Sequence, residues 1–352
     1  MNSANLLQFF DDHRSRAEPL VLATVFETEG STYSKAGTLM LIDQNGVFRG
    51  MLSGGCLEGD VAVRAQMVLE SGCAQAVTYD LATDDDELWG LGVGCDGLMR
   101  IFLQPVLPKS HYAPFAAIAE ILRGTTRAVV ATIIEASSAA ALLGATVVVA
   151  DDETQVFGVS GDLAGALEIE ARAALAANKS QSSRIVDGDN DVLVLCTTVA
   201  PPPQILVLGA GLDAEPLVKL ADELGWRCTI VDHRPAYIDA GDFSRTEAAH
   251  CIAVDELSKT IDLSQFDFAI VMSHHLSSDR SYLRQLADTD IRYVGLLGPA
   301  SRCERLLSEL GPAAEKIRGR LHGPAGLDIG GRGPAPIALS IIAQMQETLA
   351  SD

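Results

Sequence analysis

One stretch near the middle of the chain constrains the fold more than any other. Residues 201–203 are three consecutive prolines, which cannot continue a helix, and residues 205–208 follow as an apolar run that predicts a buried strand. Gly209 and Gly211 come next, directly before a predicted helix. This order is typical of a nucleotide-binding parallel sheet, because the glycines permit a tight turn and let a phosphate approach the backbone.

The residues after the prolines alternate predicted strands with predicted helices. The predicted strands cover residues 205–208, 228–231, 251–254, 268–272 and 293–296, and the predicted helices cover 213–224, 278–287, 301–310 and 336–349. Near-continuous apolar strands between amphipathic helices indicate a parallel sheet that is covered on both faces. We therefore expect a Rossmann-like, doubly wound domain over residues 201–352.

Polar residues follow the ends of two of these strands. Open α/β sheets bind ligands at the edge where the carboxyl ends of the strands lie. Asp232 lies 21 residues after Gly211 and is followed by His233 and Arg234, a spacing that suits a carboxylate on the ribose of a dinucleotide. The sequence therefore predicts a nucleotide site here. The alternative is a Rossmann-shaped domain whose glycines only form a tight turn.

His274 and His275 follow the strand predicted at 268–272 and belong to the same edge. They are predicted to face the ligand, with a capping role before the next helix as the alternative. A zinc site is disfavoured, because no third ligand has a suitable spacing. Asp213 complicates the nucleotide site, since a carboxylate in the phosphate loop repels a pyrophosphate unless it only caps the helix.

The first 200 residues contain a predicted internal duplication, with copies at about 20–107 and 128–200. The copies align at an offset of 107 to 109 residues, as follows: 22–27 with 130–135, Gly37 with Gly144, Val47-Phe48 with Val156-Phe157, and Ser53-Gly54 with Ser160-Gly161. Each copy predicts three strands followed by a helix. We expect an N-terminal α+β domain over residues 1–200.

The two copies differ in the loop before the helix. Copy one carries Gly54, Gly55, Cys56 and Glu58 there, whereas copy two lacks the second glycine, the cysteine and the glutamate. A thiol near a helix N-terminus is acidified, and a thiolate is both a nucleophile and a ligand for soft metals. The alternative is a buried cysteine that acts as a small apolar side chain. The difference predicts that the chemistry is confined to copy one.

A second glycine loop covers residues 90–97 and contains Gly94 and Cys95. Its four glycines exclude a regular element, so it is predicted to wrap around a phosphate or a pterin and to bring a second thiol to the site.

Charge and cysteine content limit the partners. The chain has 26 Lys and Arg against 47 Asp and Glu, a formal net charge of −21, which disfavours nucleic acid and anionic membranes. The apolar stretch 128–150 predicts two buried strands rather than a membrane span. Seven cysteines form no CxxC pair, and residues 1–16 have no apolar core of a signal peptide. We expect a cytoplasmic protein with reduced thiols.

These motifs together resemble the XdhC/CoxI family from about residue 20 to residue 345. The residues that carry the resemblance are Gly30-Ser31-Thr32, Ser53-Gly54-Gly55-Cys56-Leu57-Glu58-Gly59, the loop with Cys95, Gly209-Ala210-Gly211, Asp232-His233-Arg234, His274-His275, and residues 293–298 and 326–330.

The resemblance implies an accessory protein rather than a turnover enzyme. Members bind the molybdenum cofactor, support replacement of an oxo ligand by sulfur from a cysteine desulfurase, and deliver the cofactor to an apo xanthine dehydrogenase-type molybdenum hydroxylase. Cys56 would then contact molybdenum or its sulfur, with Cys95 as its neighbour, and Glu58 would orient or protonate. A homodimer is compatible with delivery to a dimeric client.

Two other functions stay open. One is an NAD(P)-dependent oxidoreductase that uses the Rossmann half, with His274 or His275 as proton donor and NAD(P) or another nucleotide as cofactor. Against it, no Lys–Tyr pair for hydride transfer is evident. The other is a thiol-based sulfur relay that acts alone.

Overall fold

The computed structural model describes residues 3–80, 97–137, 143–151, 153–187 and 190–350. The chain forms two compact units, Met1–Pro201 and Pro202–Asp352, so that the break falls within the proline run. Within the described ranges, no helix has both the length and the apolar character that crossing a bilayer requires.

The N-terminal unit contains four helices and ten strands in its described part. The helices are α1 (Ser3–Ser15), α2 (Glu58–Ser71), α3 (Phe115–Arg123) and α4 (Gly161–Ala177). The strands are β1 (Leu20–Glu29), β2 (Leu39–Asp43), β3 (Phe48–Arg49), β4 (Gln75–Asp80), β5 (Leu98–Val106), β6 (Ala128–Ala136), β7 (Thr146–Ala150), β8 (Glu153–Phe157), β9 (Gln181–Asp187) and β10 (Asn190–Val199). The stretch 128–150 thus forms two strands, as predicted.

The ten strands form two antiparallel sheets of the same order. Copy one has the order β3-β2-β1-β5-β4, and copy two has the order β8-β7-β6-β10-β9. Apolar side chains of both sheets, together with α1 and α3, share one core between them. The outer face of the first sheet is covered by α2, and that of the second sheet by α4. The predicted α+β domain with an internal duplication is confirmed.

Individual hydrogen bonds repeat between the copies. Gly37 donates its N–H to Val25 O at 2.8 Å, and Gly144 donates its N–H to Ile133 O at 2.9 Å. Both glycines have a positive φ, +95° and +85°, which a residue with a side chain rarely adopts. The same backbone conformation therefore favours glycine at both turns.

A bulge also repeats. The pairing of β1 with β5 skips Phe26, and the pairing of β6 with β10 skips Ile134. Both side chains are buried, and they pack into one cluster with Phe102 and Leu195 between the two sheets. The bulges are therefore part of the scaffold that both copies share.

One detail of the predicted alignment was wrong. Phe48 pairs with Ile42 in copy one, and the residue that pairs with Val149, the counterpart of Ile42, is Thr154. The predicted counterpart was Phe157 instead. Phe157 lies three residues beyond Thr154, and the two turns differ in length, since Phe48 comes six residues after Ile42 whereas Thr154 comes five residues after Val149. A pattern of apolar residues does not display the length of a turn, so matching Val47-Phe48 by residue type gives the wrong counterpart.

The C-terminal unit alternates strands and helices. The strands are β11 (Gln204–Leu208), β12 (Arg227–Asp232), β13 (Ala248–Cys251), β14 (Phe268–Val271), β15 (Tyr293–Leu296) and β16 (Leu321–His322). The helices are α5 (Ala214–Glu223), α6 (Pro235–Ala240), α7 (Leu257–Thr260), α8 (Leu276–Leu286), α9 (Ala300–Leu310), α10 (Ala313–Ile317) and α11 (Pro334–Ala350).

The six strands form one parallel sheet in the order β13-β12-β11-β14-β15-β16, with a core on each face. The strand order reverses between β11 and β14, which is where doubly wound sheets bind ligands. The Rossmann-like prediction is confirmed. The strand predicted at 251–254 instead ends at Cys251, since Val254 begins a short 3₁₀ helix.

Candidate functional site

A buried carboxylate fastens the loop that carries Cys56. Glu58 is 3% exposed and is the first residue of α2. Its Oε1 accepts hydrogen bonds from the N–H groups of Leu52 and Ser53, both at 2.8 Å. Its Oε2 accepts the Ser53 hydroxyl at 2.5 Å and the Gly55 N–H at 3.0 Å. One side chain thus satisfies four donors of the loop.

These contacts decide the charge of Glu58. Burial alone would raise the pKa of Glu58, but the hydrogen bonds from Ser53 and Leu52 outweigh it and hold the pKa below its ordinary value. The carboxylate is therefore ionised at neutral pH, and its oxygens are engaged in the loop. This geometry disfavours the proton-donor role. The orienting role stays a prediction. In the structure, the part that Glu58 holds in place is the loop itself.

The glycines keep the loop open around the thiol. Gly54 and Gly55 have φ of +79° and +110°, in the region that favours glycine. A Cβ on Gly55 would meet no atom within 4 Å, so space is free above the backbone. Cys56 is half-buried and lies two residues before α2. Its predicted roles as nucleophile and metal ligand stay predictions.

A neighbouring segment packs against this loop. Ser34 donates its hydroxyl to Leu52 O at 2.5 Å. A Cβ on Gly97 would lie 2.6 Å from Glu29 O and 2.8 Å from Ser31 O, so this glycine is required for close contact. The segment that follows β1 therefore contacts both the Cys56 loop and the start of β5.

Gly94 and Cys95 lie outside the described residues, so their roles stay predictions. The chain on the other side of that stretch is also attached to the site, because the Tyr79 hydroxyl donates to Asp60 Oδ2 at 2.6 Å. Arg64 Nε donates to the same oxygen at 2.6 Å. Both flanks of the second glycine loop are thus joined to the neighbourhood of Cys56.

Among the described residues of copy two, no equivalent of this arrangement is present. Leu57 and Leu163 are both 5% exposed and occupy matching places in their cores. The next residue is Glu58 in copy one and Ala164 in copy two, which has no carboxylate to hold a loop. Ser160, which precedes α4, makes no capping hydrogen bond with its side chain.

The other described cysteines have different surroundings. Burial raises the pKa of Cys196 and of Cys228 to about 12, so neither forms a thiolate at neutral pH. Cys303 is also buried, whereas Cys73 and Cys251 are exposed. In the part of the chain that the structure describes, no three His, Cys, Asp or Glu side chains are placed to hold a metal ion.

In the Rossmann unit, both oxygens of the Asp232 carboxylate accept hydrogen bonds from nearby residues. The carboxylate is 1% exposed, and its Oδ1 accepts the N–H and the Nε of Arg234, both at 2.9 Å. Its Oδ2 accepts the Ala210 N–H at 2.9 Å and Arg234 Nη2 at 2.7 Å. His233 Nδ1 lies 3.5 Å from Oδ1.

These four donors also determine the ionisation of Asp232. Burial alone would raise the pKa of Asp232, but the hydrogen bonds from the Arg234 side chain and the Ala210 amide outweigh burial. The pKa of Asp232 is therefore below its ordinary value, and the carboxylate stays charged. The predicted contact with a ribose is disfavoured by this geometry, because both oxygens already have two partners.

A second pair lies across the glycine loop. His274 Nε2 is 2.7 Å from Asp213 Oδ2, and the two side chains are 58% and 21% exposed. His274 has a φ of +60°, which is uncommon for a residue with a side chain. Asp213 does not cap α5, so its carboxylate stays beside the loop where a pyrophosphate would lie, at Gly211.

The remaining predicted residues of this edge have structural partners. A Cβ on Gly209 would be 2.5 Å from Met272 O, so glycine is required where β11 and β14 end. His275 directly precedes α8, and its Nδ1 is 2.9 Å from Ser277 Oγ. Its side chain makes no capping hydrogen bond to the backbone of α8, so contact with a ligand and the capping role both stay predictions.

Sequence reasoning missed a buried network at the same edge. Asp279 is 1% exposed and accepts the Ser273 hydroxyl and Arg302 Nη2, each at 2.5 Å. The Tyr282 hydroxyl is buried without a hydrogen-bond partner among the described residues. An acidic residue in the first turn of α8 is a weak signal for this network, and no pattern connects it to Arg302 on the next helix.

The molecule is thus a duplicated α+β unit with one glycine–cysteine loop, followed by a Rossmann unit. A model described as the XdhC and CoxI family matches residues 13–80, and one described as the XdhC Rossmann domain matches residues 205–345. The chain belongs to the XdhC and CoxI family, which confirms the resemblance drawn from the motifs.

One relative and one crystal structure match along nearly the whole chain, and a second relative matches part of it. A probable xanthine dehydrogenase subunit of Bacillus subtilis is 30% identical over 333 residues, covering 94% of this chain and 93% of the relative. A crystal structure of a xanthine dehydrogenase from Bacillus halodurans matches with a TM-score of 0.80 and 28% identity, over 98% of this chain and 96% of that one. The uncharacterised protein YqeB of Escherichia coli is 27% identical over 147 residues, 41% of this chain and 27% of that protein.

Proposed function

We propose that the chain is an accessory protein of a xanthine dehydrogenase-type molybdenum hydroxylase, and that it holds the molybdenum cofactor at the Cys56 loop before delivery. Family membership and the names of the relatives support the general role. The observation that carries the finer proposal is the loop that Glu58 fastens in copy one and that copy two lacks. A duplicated scaffold with a single loop of this kind is suited to bind one cargo.

The residues of the loop fit the proposed cargo. The cofactor brings a molybdenum centre, and a thiolate is a suitable ligand for a soft metal or its sulfur. Cys56 supplies the thiol, Gly55 leaves the space above the loop open, and Glu58 holds the backbone in place. Cys95 is proposed to work beside Cys56. The task of this chain is then to bind and orient, without turnover of its own.

The other partners follow from the same proposal. A cysteine desulfurase would supply the sulfur that replaces an oxo ligand, and the reducing cytoplasm would keep the thiols free, as the six described cysteines are. A homodimer would suit a dimeric client. We propose neither nucleic acid nor a membrane as a partner, because the formal net charge of −21 opposes both.

The geometry counts against the NAD(P)-dependent oxidoreductase. Rossmann domains that bind NAD hold its ribose with a carboxylate, and both oxygens of Asp232 are already engaged. The Arg234 side chain, which an NADP phosphate would need, is likewise paired with Asp232. Its pyrophosphate would also approach the carboxylate of Asp213. We therefore assign no step to a nicotinamide cofactor, and any nucleotide in the Rossmann unit would have to bind in a different way.

Retention of the cofactor tests the proposal. The full chain is incubated without oxygen with cofactor released from a molybdenum hydroxylase, passed through gel filtration and assayed for the fluorescence of the oxidised pterin. Cys56→Ala should reduce retention about tenfold or more, the effect of one lost contact of about 1.4 kcal/mol. Cys73→Ala, an exposed thiol of the same unit, is the control and should retain the wild-type amount.

Three outcomes would count against the proposal. Equal retention by Cys56→Ala and the wild type would remove the thiol from the site. Absence of retention by the wild type, together with tight binding of NAD and turnover of a small carbonyl compound, would establish the oxidoreductase instead. Transfer of sulfur by the chain in the absence of any pterin would favour the sulfur relay.

A further inference from the structure

One aromatic side chain stands open beside the Cys56 loop. Tyr33 is 65% exposed, the largest exposure of any Phe, Tyr or Trp in the described part of the chain. The other exposed aromatic residue, Tyr237, is covered by the Arg234 guanidinium at 3.7 Å from its ring centre. Among the described residues, no ring or guanidinium stacks on Tyr33. Its ring is therefore available for contact with a ligand.

The protein holds this ring against the loop. A Cβ on Gly54 would lie 3.2 Å from Cδ2 and 3.4 Å from Cε2 of Tyr33, so the ring rests directly on the glycine backbone. Thr32 donates its hydroxyl to Ser34 O at 2.9 Å, and Ser34 donates to Leu52 O. The residues on both sides of Tyr33 are therefore fastened, and the ring is covered by the loop on one side and open to solvent elsewhere.

The position of the ring points to a planar ligand. Gly54 is two residues from Cys56, so the ring lies on the same short loop that carries the thiol. Open aromatic faces bind planar heteroaromatic rings by stacking, and a single stacked base contributes about 1–3 kcal/mol. We propose that Tyr33 stacks on the pterin ring of the cofactor while Cys56 faces its metal end. This inference rests on the proposed function.

A metal-free pterin separates this inference from the role of the thiol. The full chain is titrated with 6-carboxypterin, and binding is followed by quenching of the pterin fluorescence. Tyr33→Leu should weaken binding about tenfold, whereas Tyr33→Phe, which keeps the ring, should stay within about twofold of the wild type. Tyr237→Leu makes the same change at the other exposed tyrosine and should have no effect.

The results distinguish failure of the stacking role from failure of the proposed function. Equal affinity of Tyr33→Leu and the wild type, or absence of binding by the wild type, would overturn the stacking role. Loss of binding in both Tyr33→Leu and Tyr33→Phe would assign the effect to the hydroxyl and would also overturn it. If intact cofactor is retained through Cys56 while Tyr33→Leu has no effect on either ligand, the stacking role fails and the proposed function stands. If the wild type does not retain intact cofactor, the proposed function fails.

Discussion

The two copies of the N-terminal unit share a scaffold and differ in one loop. Both keep the strand order, the bulge and the glycine turn, which is Gly37 in copy one and Gly144 in copy two. Glu58, the buried carboxylate that holds the loop of copy one, has Ala164 as its counterpart in copy two. Because copy two folds on the same plan without it, the scaffold does not require the loop. The loop therefore has no counterpart in the folding plan that the copies share, and the proposed cargo would account for it.

The largest effect should come from removing the carboxylate of copy one. Glu58→Ala leaves three backbone N–H groups and the Ser53 hydroxyl without their acceptor. Each unsatisfied buried group costs about 1–3 kcal/mol, so we expect a loss of at least about 3 kcal/mol in the free energy of unfolding, measured by urea denaturation. Asp162→Ala, an exposed change at the start of α4, should cost no more than about 0.5 kcal/mol. Similar values for both variants would contradict the comparison.

A smaller loss is expected for the other fastened glycine loop. Asp232→Ala removes the partner of Arg234, whose side chain is 31% exposed, and of the Ala210 N–H. The partial exposure of Arg234 limits the cost to about 2–3 kcal/mol, again by urea denaturation. If this variant instead keeps its stability and loses affinity for NAD in calorimetry, then Asp232 binds a ribose and the structural role assigned to it is wrong.

The shared turns should respond alike in the two copies. Gly37→Ala and Gly144→Ala both place a side chain at a positive φ, with neighbouring atoms 3.3 and 3.2 Å from the new Cβ. We expect each variant to lose about 1–2 kcal/mol of unfolding free energy. Gly165→Ala, inside α4 with open space around it, should instead gain about 0.5–1 kcal/mol. A loss confined to one of the two turns would break the equivalence of the copies.

The smallest expected effect is the change in stability at low pH that depends on Glu58. The pKa of Glu58 is lower in the folded chain than its ordinary value, so its ionisation stabilises the fold fully above about pH 4.3. This contribution is lost as the pH falls through the lower folded value. Glu58→Gln cannot titrate, so the stability gap between it and the wild type should narrow when urea denaturation is repeated at about pH 3.5 instead of pH 7. A gap that is independent of pH would mean that the carboxylate is not ionised.

Most strands and the internal duplication can be predicted from the sequence. The apolar runs of the Rossmann unit predict β11 as 205–208 and β15 as 293–296, close to Gln204–Leu208 and Tyr293–Leu296, because fully buried strands have continuous apolar stretches. The repeat of Gly37 and Gly144 likewise reveals the duplication. The sequence does not predict the correct counterpart of Phe48, because the turn before it is one residue longer than the turn before Thr154 and the apolar pattern does not display turn length.

The site is harder to predict than the fold. Its motif can be read from Gly54, Gly55 and Cys56, but the partners of Glu58 are mainly backbone N–H groups, which no pattern of side chains displays. The engagement of Asp232 depends on an arginine two residues later that folds back on it. In both places the sequence indicates a functional carboxylate, whereas the geometry reveals one that holds its own loop.

Protection of the thiol tests the central claim most directly. The full chain is treated with iodoacetamide with and without bound molybdenum cofactor, and alkylation of each cysteine is followed by mass spectrometry. The account predicts that the cofactor slows the alkylation of Cys56, while the exposed Cys73 and Cys251 react as before. Alkylation of Cys56 at the same rate in both samples, with cofactor still bound, would contradict it.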